Sequence, residues 1–331
     1  MSVTIHDIAQ ALKIHSSTVS SCLAGNYRKR RISEKLAEQV RQKAAEMGYI
    51  PNQLAGRIFK RSKRKYLGLI FKRDTATLRT QPILDYAIKT LGERSDCDFS
   101  VIYAKPHGLE DALRNGIGLG IKDFIIIGYM DSADTAKINF SLLPDINLYV
   151  PDYQFSANDV LCPSVRIKMG FDRQTYYKKL IQELELAGWG PVTEVQSLDE
   201  TQPEPEDPAA LYLRVQETED LFETGFRFGR KIEERFRAGL CRTVLFKNDS
   251  IAVGVMEYLL DRGIRIPEDI AIAGFNNSPF SAYAKIPLTT VEIPLRENID
   301  RIIGHLLEEK PLPEKILILP QLICRRSLPL K

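Results

Sequence analysis

What the sequence lacks first limits where the protein resides. No apolar run among its 331 residues approaches the roughly 18–20 residues that a membrane-spanning helix needs. The N-terminal segment MSVTIHDIAQ has neither the basic start nor the apolar stretch of a signal peptide. These absences exclude a membrane span and a secretory leader, and they predict a cytoplasmic protein.

Residues that form disulfides or bind metals are few and scattered. The five cysteines are Cys22, Cys97, Cys162, Cys241 and Cys324, and no two of them form a C-x-x-C pair. The four histidines show no spacing typical of metal ligands. We therefore expect no disulfide framework, no metal site and no cofactor, in agreement with a reducing compartment.

Sequence signatures of common catalytic sites are missing as well. No glycine loop follows a predicted strand in the pattern that cradles phosphate, and no G-x-S-x-G segment supplies a nucleophile. Gly116, Gly118 and Gly120 precede a predicted strand instead, which indicates a turn. Sugar kinases and hydrolases also use doubly wound sheets, so the fold alone does not exclude an enzyme. Without these motifs we expect no enzyme.

Charge is divided unevenly along the chain. Residues 1–65 contain 14 Lys and Arg against 4 Asp and Glu, a net charge of +10. Because the whole chain carries +3, the other 266 residues carry −7. A charge run is usually a solvated surface, but two basic runs, Arg28–Arg31 and Lys60–Lys65, bracket the same segment. A basic module on an acidic body favours nucleic acid as the partner.

Three short amphipathic patterns lie within this basic segment. Their apolar residues are Ile5, Ile8, Ala9 and Leu12, then Val19, Cys22 and Leu23, and finally Leu36, Val40, Ala44 and Met47. Thr4 with Asp7 suits a capped start of the first helix, and Ser33 suits that of the third. The serines of the second pattern are predicted to face outward. Lys13 occupies the joint between the first two helices, where a positive φ would cost about 1 kcal/mol. The pattern predicts a helix-turn-helix, although a bundle without a ligand has the same signature.

Motifs at both ends of the chain identify a family resemblance. The N-terminal motifs are Val3-Thr4-Ile5-x-Asp7-Ile8-Ala9, Thr18-Val19-Ser20 and Gly48-Tyr49-Ile50-Pro51-Asn52 with Ala55. The C-terminal motifs are Lys247-Asn248-Asp249-Ser250-Ile251-Ala252, Gly274-Phe275-Asn276-Asn277, Pro287-Leu288-Thr289-Thr290-Val291 and Leu322-x-x-Arg325-x-Ser327. Together they resemble the lactose-repressor (LacI/GalR) family of bacterial transcription regulators. The resemblance implies a homodimer that binds a near-palindromic double-stranded DNA operator, most often as a repressor.

The resemblance and the basic charge together predict which residues contact DNA. They are Thr4, Ser16, Ser17, Thr18, Ser20, Ser21, Arg28, Lys29, Arg30, Arg31, Tyr49, Asn52, Ala55 and Ile58. By this resemblance Ser16, Ser17 and Ser21 read bases, and Ser21 stands where the family usually has arginine. Serine discriminates bases poorly, so we expect modest specificity. The basic loop Arg28–Arg31, which is about three residues longer than in the family, is expected to contact phosphate.

Residues 52–59 match the hinge helix of the family. By resemblance Ala55 lets two hinges approach, and Ile58 inserts into the minor groove and kinks the duplex. Gly56 disfavours a helix in the absence of DNA by roughly 0.5–1 kcal/mol. A plain flexible linker is the alternative interpretation of the same residues.

The remainder of the chain alternates strand and helix patterns. Buried strands are predicted at 67–71, 99–103, 123–127, 243–246 and 270–273, with a terminal pair at 316–319 and 322–325. Helices are predicted at 83–93, 109–116, 177–187, 225–237, 251–262 and 299–307. This alternation indicates an α/β body of two doubly wound parallel sheets. We divide the chain into a helix-turn-helix domain (1–50), a hinge and linker (51–65) and a bilobed, periplasmic-binding-protein-like domain (66–331).

The resemblance places a small-molecule effector between the two lobes, near Asn248, Phe275 and Asn276. Asn276 replaces an aspartate that commonly binds a sugar hydroxyl in the family. The helix that carries the effector-gripping arginine of the family is missing between Gly188 and Gly225. These departures leave two alternatives open: a ligand other than a conventional sugar, or a degenerate pocket in an effector-independent or architectural DNA-binding protein. A free-standing transport protein is a poor match, because it would not need residues 1–65.

Overall fold

The computed structural model describes residues 3–23, 25, 27–49, 64–72, 77–105, 108–143, 145–155, 163–198, 210–215 and 220–330. Within these ranges, no helix combines the length and apolarity needed to cross a membrane. The described elements form a small helical unit at the N-terminus, followed by two α/β lobes.

Capping side chains define the N-terminal helices. Helix α1 (Ile5–Leu12) begins after Thr4, whose hydroxyl accepts from the Asp7 N–H while the Asp7 carboxylate accepts from the Thr4 N–H. Helix α2 spans Ser16–Leu23. Helix α3 (Glu34–Glu46) begins after Ser33, which accepts from the Leu36 N–H. Both predicted caps are confirmed. Each satisfies a backbone donor that a helix start otherwise leaves unpaired.

The three helices share one small apolar core. Its buried members are Ile8, Ala9, Val19, Cys22, Tyr27, Ala37, Val40 and Ala44. Helices of this length are marginal on their own, so this shared core holds them together. Tyr27, in the loop between α2 and α3, joins the core although the periodic pattern did not include it.

Each lobe is built on a six-stranded sheet. The strands are β1 Lys65–Lys72, β2 Cys97–Ala104, β3 Asp123–Ile127, β4 Asn147–Gln154, β5 Val165–Phe171, β6 Val192–Leu198, β7 Ala210–Arg214, β8 Thr243–Phe246, β9 Ala271–Phe275, β10 Thr289–Glu292, β11 Lys315–Leu317 and β12 Gln321–Ile323. The order in the first sheet is β11-β5-β4-β3-β1-β2, and in the second it is β12-β10-β9-β8-β6-β7. Every pairing is parallel except β10 with β12. The predicted fold class is confirmed.

Helices cover the two sheets. They are α4 Thr77–Gly92, α5 Leu109–Gly118, α6 Ser132–Ala136, α7 Arg173–Leu186, α8 Leu221–Arg237, α9 Asp249–Asp261 and α10 Leu295–Glu308. One apolar cluster runs through both lobes, since it contains Leu67 and Ile125 of the first sheet and Leu245 and Ala273 of the second. The lobes are therefore joined by a continuous core.

Two features of the strand prediction require correction. The predicted terminal pair is wrong: β11 pairs with β5 in the first lobe, whereas β12 pairs with β10 in the second. Consecutive strands were assumed to be neighbours, but residues 318–320 cross between the lobes. Strands β4 to β7 and β10 were not predicted, because polar residues and a proline interrupt several of them and hide the apolar pattern.

The chain passes between the lobes three times. After β5 of the first sheet, α7 packs against β6 of the second. After β10 of the second sheet, α10 packs against β4 and α4 of the first. The third crossing links β11 to β12. These crossings place the carboxyl ends of strands from both sheets around one cleft, which is where ligands bind in parallel α/β folds.

Candidate nucleic-acid interface and interlobe cleft

The joint between α1 and α2 is a tight left-handed turn. Lys13 follows α1 with φ 52°, and its N–H donates to the Gln10 carbonyl at 3.2 Å. The position therefore does adopt the positive φ whose cost the sequence analysis considered. A side chain in this conformation is strained by about 1 kcal/mol relative to glycine, a cost that the shared core of the three helices offsets.

The outer surface of α2 carries hydroxyl groups. Ser17 and Ser20 are exposed, and Ser16 and Thr18 are half-buried. Ser21 is only 6% exposed, and its hydroxyl donates to the Ser17 carbonyl at 2.7 Å. The expectation that Ser21 faces outward is therefore wrong. The bond to the preceding turn satisfies its hydroxyl, so a polar residue can lie inward at this position.

The loop after α2 contains regular structure. Residues Arg28–Arg30 form a 3₁₀ turn, and Arg31 ends it with φ 57°. The Tyr27 hydroxyl donates to Glu34 Oε1 at 2.9 Å, and Arg28 Nη2 donates to the two Glu34 oxygens at 3.2 and 3.0 Å. These hydrogen bonds, led by that of Tyr27, lower the pKa of the Glu34 carboxyl. Glu34 thus ties the turn to the start of α3.

Arg28 differs from the other three cations of this turn. All four are exposed, but among the described residues only Arg28 forms an ion pair, with Glu34 at 3.0 Å. Its guanidinium also lies 5.7 Å from the centroid of its neighbour Tyr27. Lys29, Arg30 and Arg31 are the cations of the turn that project charge into solvent.

The remaining predicted DNA contacts fall into two groups. Thr4 is exposed at the start of α1 and its side chain serves as the cap. Tyr49 is half-buried after α3, and burial raises the pKa of its hydroxyl. The hinge prediction, with Asn52, Ala55 and Ile58, lies outside the described residues.

On the first lobe, the cleft is lined by the ends of parallel strands. Lys72 at the end of β1 donates to the Tyr129 carbonyl at 2.9 Å and forms an ion pair with Asp134 at 2.6 Å. The Tyr129 hydroxyl donates to Gln154 Oε1 and to Asp131 Oδ2. Burial is the main reason that the pKa of Tyr129 is raised. This wall is therefore a fixed network of polar groups on a rigid sheet edge.

Arg173, the first residue of α7, lies between the two walls of the cleft. Its guanidinium carbon is 4.7 Å from the centroid of the Tyr129 ring, 5.1 Å from that of Phe275 and 5.8 Å from that of Phe171. Its ion pair with Asp152 is long, at 3.8 Å, and its side chain is 17% exposed. Arg173 therefore places a guanidinium between the aromatic rings of the two lobes.

The three predicted effector residues lie on the second lobe. Asn248 caps α9, and its Oδ1 accepts from the Ser250 N–H at 2.8 Å. Phe275 is 1% exposed, and its ring stacks on Phe171 and Tyr177. Phe275 therefore packs against the Arg173 guanidinium and does not form an exposed wall of the cleft.

Asn276 and Asn277 form a left-handed turn beside an open cavity. Their φ values are 103° and 46°, a region that asparagine tolerates better than most residues. The cavity measures about 440 Å³. Pro82 and Ile83 line it from the first lobe. Both asparagines and Gln321 line it from the second lobe, and Pro294 lines it from the crossing after β10. Asn276 is thus the predicted effector residue that meets open space.

Asp249 holds this turn in place. It lies at the start of α9, the helix-terminal position predicted for it, and it is fully buried there. Its carboxylate accepts from the Ser278 N–H and from the Thr290 hydroxyl, both at 2.6 Å. Burial raises the pKa of Asp249 to about 6. A Cβ at Gly274 would lie 2.1 Å from Asp249 Oδ1, which explains the glycine in that motif.

Sequence reasoning did not find Arg173 or the Tyr27–Glu34 pair. Both depend on contacts with residues far along the chain or on a loop without periodicity. A usable signal was present for Tyr27, a tyrosine within an otherwise basic loop, whereas Arg173 follows a strand, β5, that the sequence did not predict. Across the described part of the chain, no group of three or more His, Cys, Asp or Glu residues could hold a metal ion.

Comparison with protein families assigns both ends of the chain. Residues 4–52 match the bacterial regulatory proteins of the lacI family, and residues 199–328 match the periplasmic binding protein-like domain. The HTH-type transcriptional repressor PurR of Vibrio atlanticus is 35% identical over 100 residues, which cover 29% of this chain and 28% of that protein. The arabinose metabolism transcriptional repressor of Geobacillus stearothermophilus is 24% identical over 197 residues, 55% of this chain and 54% of that protein. Each match therefore spans only part of its relative.

Solved structures show the same fold at low sequence identity. A lac repressor dimer bound to operator and the anti-inducer ONPF superimposes with a TM-score of 0.60 at 18% identity, covering 100% of both chains. The Escherichia coli transcriptional repressor ascG gives a TM-score of 0.61 at 18% identity, covering 80% of this chain and 100% of that one. The chain therefore combines a helix-turn-helix domain of the lacI family of bacterial regulatory proteins with a periplasmic binding protein-like domain.

Proposed function

We propose that the protein is a DNA-binding transcription regulator that acts as a repressor. The observation that carries this proposal is the three-helix unit, in which α2 exposes Ser17 and Ser20 beside a rigid turn with three solvent-facing cations. A recognition helix in the major groove with flanking phosphate contacts is how helix-turn-helix units bind DNA. The repressor names of the relatives support the direction of regulation.

In this proposal the protein acts as a homodimer on a near-palindromic operator. Two helix-turn-helix units read the two halves, and the hinge residues Asn52, Ala55 and Ile58 meet at the centre. Residues 51–65 link this unit to the bilobed body. The resemblance of the chain to a lac repressor dimer bound to operator supports this arrangement. An inserted Ile58 would kink the duplex and widen the contact between protein and DNA.

The interlobe cleft is proposed to bind a small-molecule effector. The cavity of about 440 Å³ beside Asn276 falls within the usual size of a ligand pocket. Because three crossings join the lobes, a ligand that changes their closure would change the separation of the two hinges in a dimer, and so couple to DNA affinity. An effector-independent or architectural DNA-binding protein is the competing function, and the inward-facing Ser21 favours it because α2 then has one base reader fewer.

The test compares the two kinds of serine on α2. A Ser17→Ala, Ser20→Ala double variant is expected to weaken binding to a selected operator by about tenfold or more, because each lost base contact costs roughly 1–3 kcal/mol. The matched control, Ser21→Ala, is expected to bind as the wild type does, since this hydroxyl bonds to its own helix. Equal affinities for all three proteins would show that α2 does not read DNA.

The competing function predicts a different result in a second measurement. Sedimentation with the operator duplex should give two chains per duplex in the proposed function. A single chain per duplex, or open-ended loading along the DNA, would favour the architectural alternative instead.

A further inference from the structure

We propose that the effector of the cleft is a small acid, held through its carboxylate or phosphate group by Arg173. This inference rests on the proposed role of the cleft as an effector site and names the class of ligand. It depends on the geometry of one guanidinium and of the groups around it.

The position of Arg173 suits recognition of an anion. The guanidinium lies among the rings of Tyr129, Phe171 and Phe275, which fix its plane and exclude water from its faces. A guanidinium ordered in this way presents a planar fork that matches a carboxylate or phosphate with two parallel hydrogen bonds. The 17% of its side chain that is exposed is the part that a ligand in the cleft can reach.

Two lysines at strand ends around the cleft already have close acidic partners. Lys72 pairs with Asp134 at 2.6 Å, and Lys247 pairs with Glu194 at 3.0 Å. The pair between Arg173 and Asp152 is much longer, at 3.8 Å. Arg173 Nε is buried and has no hydrogen-bond partner among the described residues. Since a buried charged donor is costly to leave unsatisfied, Arg173 has the greatest capacity of the three to accept an anion.

The cavity beside Asn276 carries charge of both signs, because Glu292, Arg296 and Glu297 are among its lining residues. The neutral amide of Asn276 offers a donor and an acceptor beside the cavity.

The experiment measures binding to the full-length protein without DNA, by titration calorimetry. Three probes share one scaffold and differ in charge: glucose, gluconate and glucose 6-phosphate. We expect one or both acids to bind and glucose to bind far more weakly. Binding of gluconate alone identifies a carboxylate ligand, and binding of glucose 6-phosphate alone identifies a phosphate ligand.

Variants then test the residue. Arg173→Gln should reduce the affinity for the acid by roughly 10- to 100-fold, as loss of a charge-assisted hydrogen bond implies, while Arg173→Lys should recover only part of it. The control Arg237→Gln, on the exposed end of α8 and paired with Glu233, should bind as the wild type does. Thermal unfolding of each variant verifies that it is folded.

Two results would overturn the proposal. One is that neither acid binds in the millimolar range or that glucose binds as tightly as the acids do. The other is an Arg173→Gln variant that is folded and retains full affinity. Operator binding, measured on the same samples, distinguishes failure of this proposal from failure of the proposed function. If the wild type binds operator DNA but one of these two results is found, only the acid ligand is refuted. If the wild type does not bind operator DNA, the proposed function itself is refuted.

Discussion

The basic turn after α2 allows a quantitative test of how the protein holds DNA. Replacing Lys29, Arg30 and Arg31 together with glutamine removes the three cations that face solvent, while Arg28 and its bond to Glu34 keep the turn in place. If each cation neutralises one phosphate, the slope of log affinity against log salt becomes less steep by about 2.7, since each contact contributes about 0.9.

The same counting gives the expected loss of affinity. Between about 1 M and about 0.15 M salt, a slope of 0.9 corresponds to about fivefold in affinity for each contact. Loss of three contacts therefore weakens binding at 0.15 M salt by about 10²-fold. This loss should be nearly the same on any DNA sequence, because phosphate contacts carry no base information.

The assay is fluorescence anisotropy of a labelled duplex, with the affinity measured at several salt concentrations. Arg28→Gln should change the slope much less than the triple variant does, because this side chain is engaged by Glu34. Arg237→Gln on the acidic body should leave the slope unchanged. An unchanged salt slope in the folded triple variant would refute phosphate contacts by the turn. A change in slope from Arg28→Gln as large as that of the triple variant would refute the distinction between Arg28 and the other three cations.

Three further predictions concern the hinge and the two lobes. Ile58→Ala should abolish DNA bending, measured by energy transfer between the duplex ends, and unchanged bending would remove the proposed wedge. Because the pKa of Asp249 is raised from its ordinary 3.8 to about 6, its charge destabilises the folded protein at neutral pH. The unfolding free energy of the wild type relative to Asp249→Asn should therefore rise by about 2 kcal/mol as the pH falls from about 7 to about 4, whereas parallel urea-denaturation profiles would contradict this shift. Gly170→Ala would place a Cβ 1.6 Å from the Tyr153 carbonyl oxygen, so it should lower stability by about 3 kcal/mol, and an unchanged urea midpoint would show that β4 can move aside.

Local chemistry explains what the sequence predicts correctly. The caps at Thr4 and Ser33 involve residues three positions apart, so they can be read without tertiary information. Strands β3 and β8 fall at the predicted positions, 123–127 and 243–246, because both are short runs of buried residues. The same reasoning fails for β5, in which Arg166 and Lys168 interrupt the apolar pattern.

Tertiary contacts explain what the sequence could not give. A helical pattern that treats serine as a surface residue assigns Ser21 to the wrong face, because the pattern does not include the hydroxyl bond to the preceding turn. Arg173 acquires its role only when crossings bring Tyr129 and Phe275 to either side of it. Both residues bear on the proposed function, since Ser21 is removed from the base readers and Arg173 is the proposed ligand contact. The sequence therefore predicts the fold better than it predicts the function.

The most direct test of the central claim is selection of bound sites from a random DNA pool, repeated at two salt concentrations. The account predicts a near-palindromic motif with a flexible pyrimidine–purine step at its centre, recovered at both salt concentrations. Its specificity ratio should be in the lower part of the range of about 10³–10⁷, because the exposed readers on α2 are serines. Salt-sensitive binding without any motif would contradict a sequence-specific regulator and favour an architectural DNA-binding protein.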